Sequence, residues 1–97
     1  MGRFKPTLTL GQFLDVHELA LEVHRRVCFE PESRYYAYIP GADIRESGAL
    51  LSICGDGSTP GEAIQDYAAC ISGKQLVFDA NRPAERVIEV PNLSGLE

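Results

Sequence analysis

The segment Gly55–Glu62, which reads GDGSTPGE, constrains this chain more than any other. Thr59 is placed to cap a helix, Pro60 suits the first helical position, and Glu62 completes a capping box. The apolar residues that follow, Ala63, Ile64, Tyr67, Ala68 and Ile71, share one helical face. Gln65, Asp66 and Ala69 lie off that face, and Gly73 is placed to end the helix. One amphipathic helix therefore stands in the second half of the chain and needs an apolar surface to cover.

The flanking segments supply strands for that surface. In Glu18–Val27 the apolar Leu19, Leu21, Val23 and Val27 alternate with polar Glu18, Glu22, His24 and Arg26. Period two predicts a half-buried strand, and Arg25 breaks it by standing on the apolar face. Glu30–Ser33 reads as a turn, and Arg34–Ile39 (RYYAYI) as a second, aromatic strand. Pro40-Gly41 ends or bends that strand, with Ala42–Glu46 continuing it. Ser47-Gly48 is a turn, and Ala49–Cys54 makes a third strand. Gln75–Ala80 and Arg86–Val90 read as the fourth and fifth, separated by a turn at Asn81–Ala84. Thr7–Val16 is ambiguous: Thr9 is placed to cap a short helix through Leu10, Phe13 and Leu14, and Gly11 weakens it. Asn92–Glu97 reads as a frayed tail. The expected fold is α+β. A small, mostly antiparallel sheet of about five strands carries one main helix on one face, with a short N-terminal helix beside it. The other face of the sheet is left open or buried against another subunit.

At 97 residues this is a single domain, with its core over about residues 9–91. Such a domain buries roughly 60–65% of its unfolded surface, so oligomerisation is a natural supplement. Nine Lys+Arg against 14 Asp+Glu leave a net charge of −5. That balance argues against nucleic-acid polymers and anionic membranes as partners, though not against a compact anion site built by a few arginines. No apolar run approaches the roughly 20 residues of a membrane span. The first ten residues hold no signal-peptide core, and Met1-Gly2 with Pro6 does not fit the myristoylation pattern. Cys28, Cys54 and Cys70 are odd in number and match no zinc or redox spacing, so they read as reduced, buried, small hydrophobes of a cytoplasmic protein.

The residues able to carry chemistry are few. The Gly55–Thr59 link ends at a helix N-terminus, where unpaired amides and the helix dipole favour phosphate. Gly55 and Gly57 permit close backbone approach, Ser58 and Thr59 add hydroxyls, and Asp56 suits ribose hydroxyls. The plainer reading is a turn and a well-capped helix with no ligand, and no Walker loop is present. Arg25, Arg26, Arg45, Arg82 and Arg86 lie near strand ends or turns. For Arg25 the plainer reading is a solvated side chain or an ion pair with Glu22 or Glu30. Arg34 with Tyr35-Tyr36 offers stacking and cation–π contact to a purine, against the plainer reading of aromatic cross-strand packing. His17 and His24 have no metal-ligand spacing and read as surface histidines. No nucleophile with its base and no carboxylate pair stands out, so neither an enzyme nor a cofactor is expected.

Several segments together resemble a known family. They are Tyr-Tyr-Ala at 35–37, Gly-Asp-Gly-Ser-Thr-Pro at 55–60, Glu-Ala-Ile with Asp-Tyr within 62–67, Ile-Ser-Gly-Lys at 71–74, and the closing Arg-Val-Ile-Glu-Val-Pro. Over about residues 17–91 the chain resembles the first class of phage Thoeris anti-defence proteins. The resemblance implies a non-enzymatic sponge that sequesters cyclic ADP-ribose isomers in pockets between subunits of a homo-oligomer, dimer to hexamer. Some members also hold cyclic oligonucleotides. It implies ligand contacts from the Gly55–Thr59 loop, with Asp56 and Ser58 at ribose or base edges. It also implies that Arg25 or Arg26 meets the pyrophosphate. Tyr36, Gly57 and Thr59 join this set, and Arg45 and Lys74 are added from charge and position.

A second resemblance competes with it. Three strands followed by a Gly-x-Thr-Pro-x-Glu-Ala type helix also look like the HicB antitoxin core, which implies an inhibitor of a small RNA-cleaving toxin. That reading wants a DNA-binding segment after the core, and few residues follow Pro91. A small nucleotide-processing enzyme and a structural phage protein are further classes, marked by turnover and by oligomers without a ligand.

Overall fold

The computed structural model describes residues 8–27 and 34–93. The chain is α+β. Its elements are α1 (Leu10–His17), β1 (Glu22–Arg25), β2 (Tyr35–Tyr38), β3 (Ala42–Glu46), β4 (Ala49–Leu51), β5 (Gly55–Gly57), α2 (Pro60–Ile71), β6 (Gln75–Phe78) and β7 (Arg86–Glu89). Cys28 and the expected turn at Glu30–Ser33 lie outside the described residues.

Both helices start where the sequence placed them. Thr9 caps α1 in a full capping box. Its Oγ1 accepts from the Gln12 N–H at 3.1 Å, and Gln12 Oε1 accepts from the Thr9 N–H at 3.0 Å. Thr59 caps α2, accepting from the Glu62 N–H at 3.1 Å. The Glu62 carboxylate does not return to the Thr59 amide. It accepts instead from the N–H and the hydroxyl of Ser58, at 3.0 and 2.6 Å. These bonds hold the Glu62 carboxyl below its ordinary pKa.

The single five-stranded sheet expected from sequence is corrected to seven strands in two antiparallel sheets, ordered β1-β2-β5 and β4-β3-β6-β7. The chain changes sheets three times: twice where the backbone leaves a ladder, and once through α2, which carries it from β5 to β6. At Pro40-Gly41, Gly41 takes a φ of +82°, and Ala42 N–H closes the turn onto the Ile39 carbonyl at 3.1 Å. Ala42–Glu46 therefore does not continue the aromatic strand but pairs with β6. Residues 52–54 form no ladder, so the expected strand Ala49–Cys54 stops at Leu51. The glycine-rich link, expected as a loop, supplies β5. The end of the described chain is also better held than a frayed tail. Leu93 bridges Leu8, and its N–H donates to Ser72 Oγ at 3.0 Å.

One core serves both sheets. Leu10 and Phe13 of α1, Ala37 and Ile39, the row Ile44–Leu76–Ile88 across the second sheet, and Ala63, Tyr67, Ala68 and Ile71 of α2 meet in it. Each fully buried Leu, Ile or Phe contributes roughly 1.5–3 kcal/mol. The Tyr67 hydroxyl is buried yet satisfied, accepting from the Ile39 N–H at 3.3 Å, and burial raises its pKa. The helix lies mainly over β5 and β2 and only marginally over β1, the edge strand of that sheet. Among the described residues no helix is long and apolar enough to cross a membrane.

Candidate functional site

The first sheet turns one face to α2 and the other to solvent. Register decides which residues share the solvent face. His24 stands opposite Tyr36, Tyr36 opposite Asp56, and Glu22 opposite Tyr38. The three rings form a ladder. His24 stacks on Tyr36 at 5.3 Å and on Tyr38 at 5.6 Å, and the two tyrosines lie 5.9 Å apart and nearly parallel at 9°. Glu22 ties the ladder at its end, accepting from His24 Nε2 at 2.9 Å and from the Tyr38 hydroxyl at 3.1 Å. The His24 bond, then the Tyr38 bond, lowers the Glu22 pKa, and the Glu22 carboxylate raises that of Tyr38.

Arg26, just past the end of β1, closes the other end of this face. Its guanidinium lies 4.5 Å from the Tyr36 ring centroid. Nη1 donates to Asp56 Oδ1 at 2.6 Å, and Nη2 to Cys54 Sγ at 3.6 Å. Two open clefts meet at this side chain. One, of about 420 Å³, is lined by Arg25, Arg26, Val27 and Arg34. The other, of about 270 Å³, is lined by Arg26, Tyr36, Tyr38, Ser52, Ile53 and Cys54. Among the described residues, the side chains of Arg25 and Arg34 make no hydrogen bond or ion pair.

Arg25, Arg26, Tyr36 and Asp56 are thus brought together at one end of the first sheet. Arg25 differs from expectation in one respect. It shares a face with Val23, as the alternation implied, but β1 is an edge strand that α2 covers only marginally, and all four of its residues are exposed. It does not pair with Glu22, whose carboxylate is engaged by His24 and Tyr38, and Glu30 lies outside the described residues.

The glycine-rich segment is corrected more strongly. A Cβ on Gly55 would stand 2.2 Å from the Tyr67 nitrogen, and one on Gly57 would stand 2.5 Å from the Ala63 nitrogen. The side-chain space at both glycines is filled by the protein's own helix. Ser58 and Thr59 are likewise engaged by Glu62, and the Asp56 N–H by Asp66 Oδ2 at 2.8 Å. Gly57, Ser58 and Thr59 build the strand-to-helix junction. Arg45 of β3 and Lys74, just before β6, lie at the second sheet, paired with Glu85 at 3.4 Å and Glu46 at 3.5 Å. Cys54 and Cys70 are free thiols, half-buried rather than fully buried, and burial raises the Cys70 pKa.

Glu22, His24, Tyr38 and Arg34 stand beside the expected site residues, though the sequence marks none of the first three as part of a site and Arg34 only for stacking. The signal was present: alternate residues 22, 24 and 26 of one strand and 36 and 38 of its neighbour must share a face.

Compared with known proteins, the chain matches no family model, no curated protein and no solved structure.

Proposed function

We propose that this protein is a binding protein for a phosphate-bearing nucleotide, acting as a sponge that sequesters a cyclic ADP-ribose isomer without cleaving it. One observation carries the reading. Arg26 lies over the Tyr36 ring at the junction of an arginine-lined and an aromatic cleft. A cyclic ADP-ribose isomer has two phosphates and a purine, and the two clefts match those two chemistries. Guanidinium forks bind phosphate oxygens in pairs, and tyrosine rings stack on bases. In this reading Arg25, Arg26 and Arg34 take the pyrophosphate, and Tyr36 and Tyr38 take the base. A homo-oligomer, dimer to hexamer, closes the open clefts with a second subunit. Cyclic oligonucleotides share the same groups and are a second ligand class.

The test is a capture experiment. Purified protein is mixed with a panel of cyclic ADP-ribose isomers and cyclic dinucleotides, freed of unbound material, and heated. Chromatography then identifies what is released. Intact cyclic ligand is the expected result. A linear or hydrolysed product would make the protein an enzyme, and capture of nothing would turn attention to a protein partner such as a toxin. The double variant Arg25→Ala with Arg26→Ala is expected to lose capture while keeping its fold.

A further inference from the structure

We propose that Asp56 is a built-in competitor in an anion site formed by Arg25, Arg26 and Arg34: a diphosphate group binds by taking Arg26 from the Asp56 carboxylate. The inference rests on the arginine cleft of the reading above and not on the cyclic form of its ligand.

Three cations share one cleft in a chain of net charge −5. The Arg26 N–H donates to the Arg34 carbonyl at 2.6 Å, which carries the β1–β2 pairing one residue past Arg25 and sets Arg26 opposite Arg34. Like charges directly opposed in a ladder repel. Arg25 adds a third charge to the same cleft. Among the described residues the carboxylate that pairs with this group is that of Asp56. It holds the guanidinium that a ligand anion would need, and it neutralises one of the three.

The pair is built to exchange. The Arg26 and Asp56 side chains keep 33% and 41% of their exposure, so separating them leaves neither charge buried. Asp56 takes one N–H of the Arg26 guanidinium, whereas a phosphate accepts two in parallel. The carboxylate is also held in place through its backbone, by the ladder partner Tyr36 and by the 2.8 Å bond to Asp66. It stays near Arg26 and weighs against any anion too weakly charged to displace it. Release of Arg26 uncovers the Tyr36 ring, so diphosphate capture opens the stacking surface for a base. This role reverses the direction expected of a ribose contact: removing the Asp56 charge strengthens binding.

Titration calorimetry with inorganic pyrophosphate and with linear ADP-ribose tests it on the wild type, Asp56→Asn, Asp66→Asn and Arg34→Gln, each checked for folding by thermal melting. Asp56→Asn is expected to bind pyrophosphate about fivefold tighter, the weight of an exposed ion pair. Asp66→Asn removes an equal charge and leaves the Arg26 pair intact, so its affinity should stay within about twofold. Arg34→Gln is expected to weaken pyrophosphate in either background. ADP-ribose should bind more tightly than pyrophosphate, by the stacking that Tyr36 adds. Unchanged or weaker binding by Asp56→Asn would overturn the competitor role, as would an equal gain from Asp66→Asn. No binding of pyrophosphate by any variant would overturn the anion site. A protein that fails here yet releases intact cyclic ligand on heating keeps the sponge reading. One that binds pyrophosphate as expected but captures no cyclic nucleotide loses only that reading.

Discussion

Two residues show how differently a side chain and its absence do work here. Gly55 has no side chain, and α2 uses that space: a Cβ would meet the Ala63 carbonyl oxygen at 2.4 Å as well as the Tyr67 nitrogen. Backbone cannot move aside as a flexible side chain can. Gly55→Ala is therefore expected to destabilise the protein by about 3 kcal/mol, the upper part of the range for overpacking, read from urea unfolding. A loss below about 0.5 kcal/mol would mean that α2 shifts freely on β5. Glu22 works through charge. Its folded pKa is lowered from the ordinary 4.5 by the His24 and Tyr38 bonds. A group with a lowered folded pKa adds stability that is full above its unfolded value and is lost as pH falls through its folded one. Glu22→Gln should thus melt below wild type at neutral pH, with the gap closing as pH drops below about 4.5. A gap constant with pH would show that the hydroxyl and imidazole bonds do not depend on the carboxylate charge.

Elements were legible where one local rule acted alone. Thr59, Pro60 and the spacing of Ala63, Tyr67 and Ile71 specify α2 without help from the rest of the chain. Thr59→Ala should lower stability by about 1 kcal/mol through the lost cap, and an unchanged melting temperature would contradict the capping role. The Ser47-Gly48 turn was legible for the same reason. Both residues take positive φ, +54° and +82°, and Glu46 pairs with Ala49 directly across them. The division into two sheets was not legible, because it depends on which strand finds which partner. Ala42–Glu46 reads as β-prone either way, and its pairing with β6 joins residues as far apart as Ala42 and Phe78. Gly55–Gly57 was misread for a sharper reason. Glycine-rich sequence signals a turn, a phosphate cradle or a close helix crossing equally well, and tertiary packing chose the last. On the solvent face, alternation placed Glu22, His24 and Arg26 together. It could not show that Arg26 would reach across β2 to Asp56 on β5.

At the scale of the whole molecule, the geometry of the clefts bears on assembly. Both lie open at the end and outer face of the first sheet, and α2 covers the edge strand β1 only marginally. A pocket that holds a small ligand tightly encloses about 70–90% of its surface. One copy of this chain offers a floor and one wall. The exposed apolar residues are also spread over distant parts of the fold: Val16 in the last turn of α1, Val23 on β1, Val27 beside the arginine cleft, Leu50 and Leu51 on the edge strand β4, and Val87 on β7. Edge strand β4 carries no charged residue of the kind that discourages pairing with another chain. A second copy seated over the first sheet would supply the missing wall and bury Val27. Sedimentation velocity at micromolar concentration is therefore expected to give a species heavier than the 10.6 kDa chain. Ligand that bridges two copies should stabilise that species further, since anything bound only to the assembled form shifts the equilibrium toward it. A clean 10.6 kDa species, unchanged by ligand, would remove the intersubunit pocket and require each copy to hold its ligand on an open face.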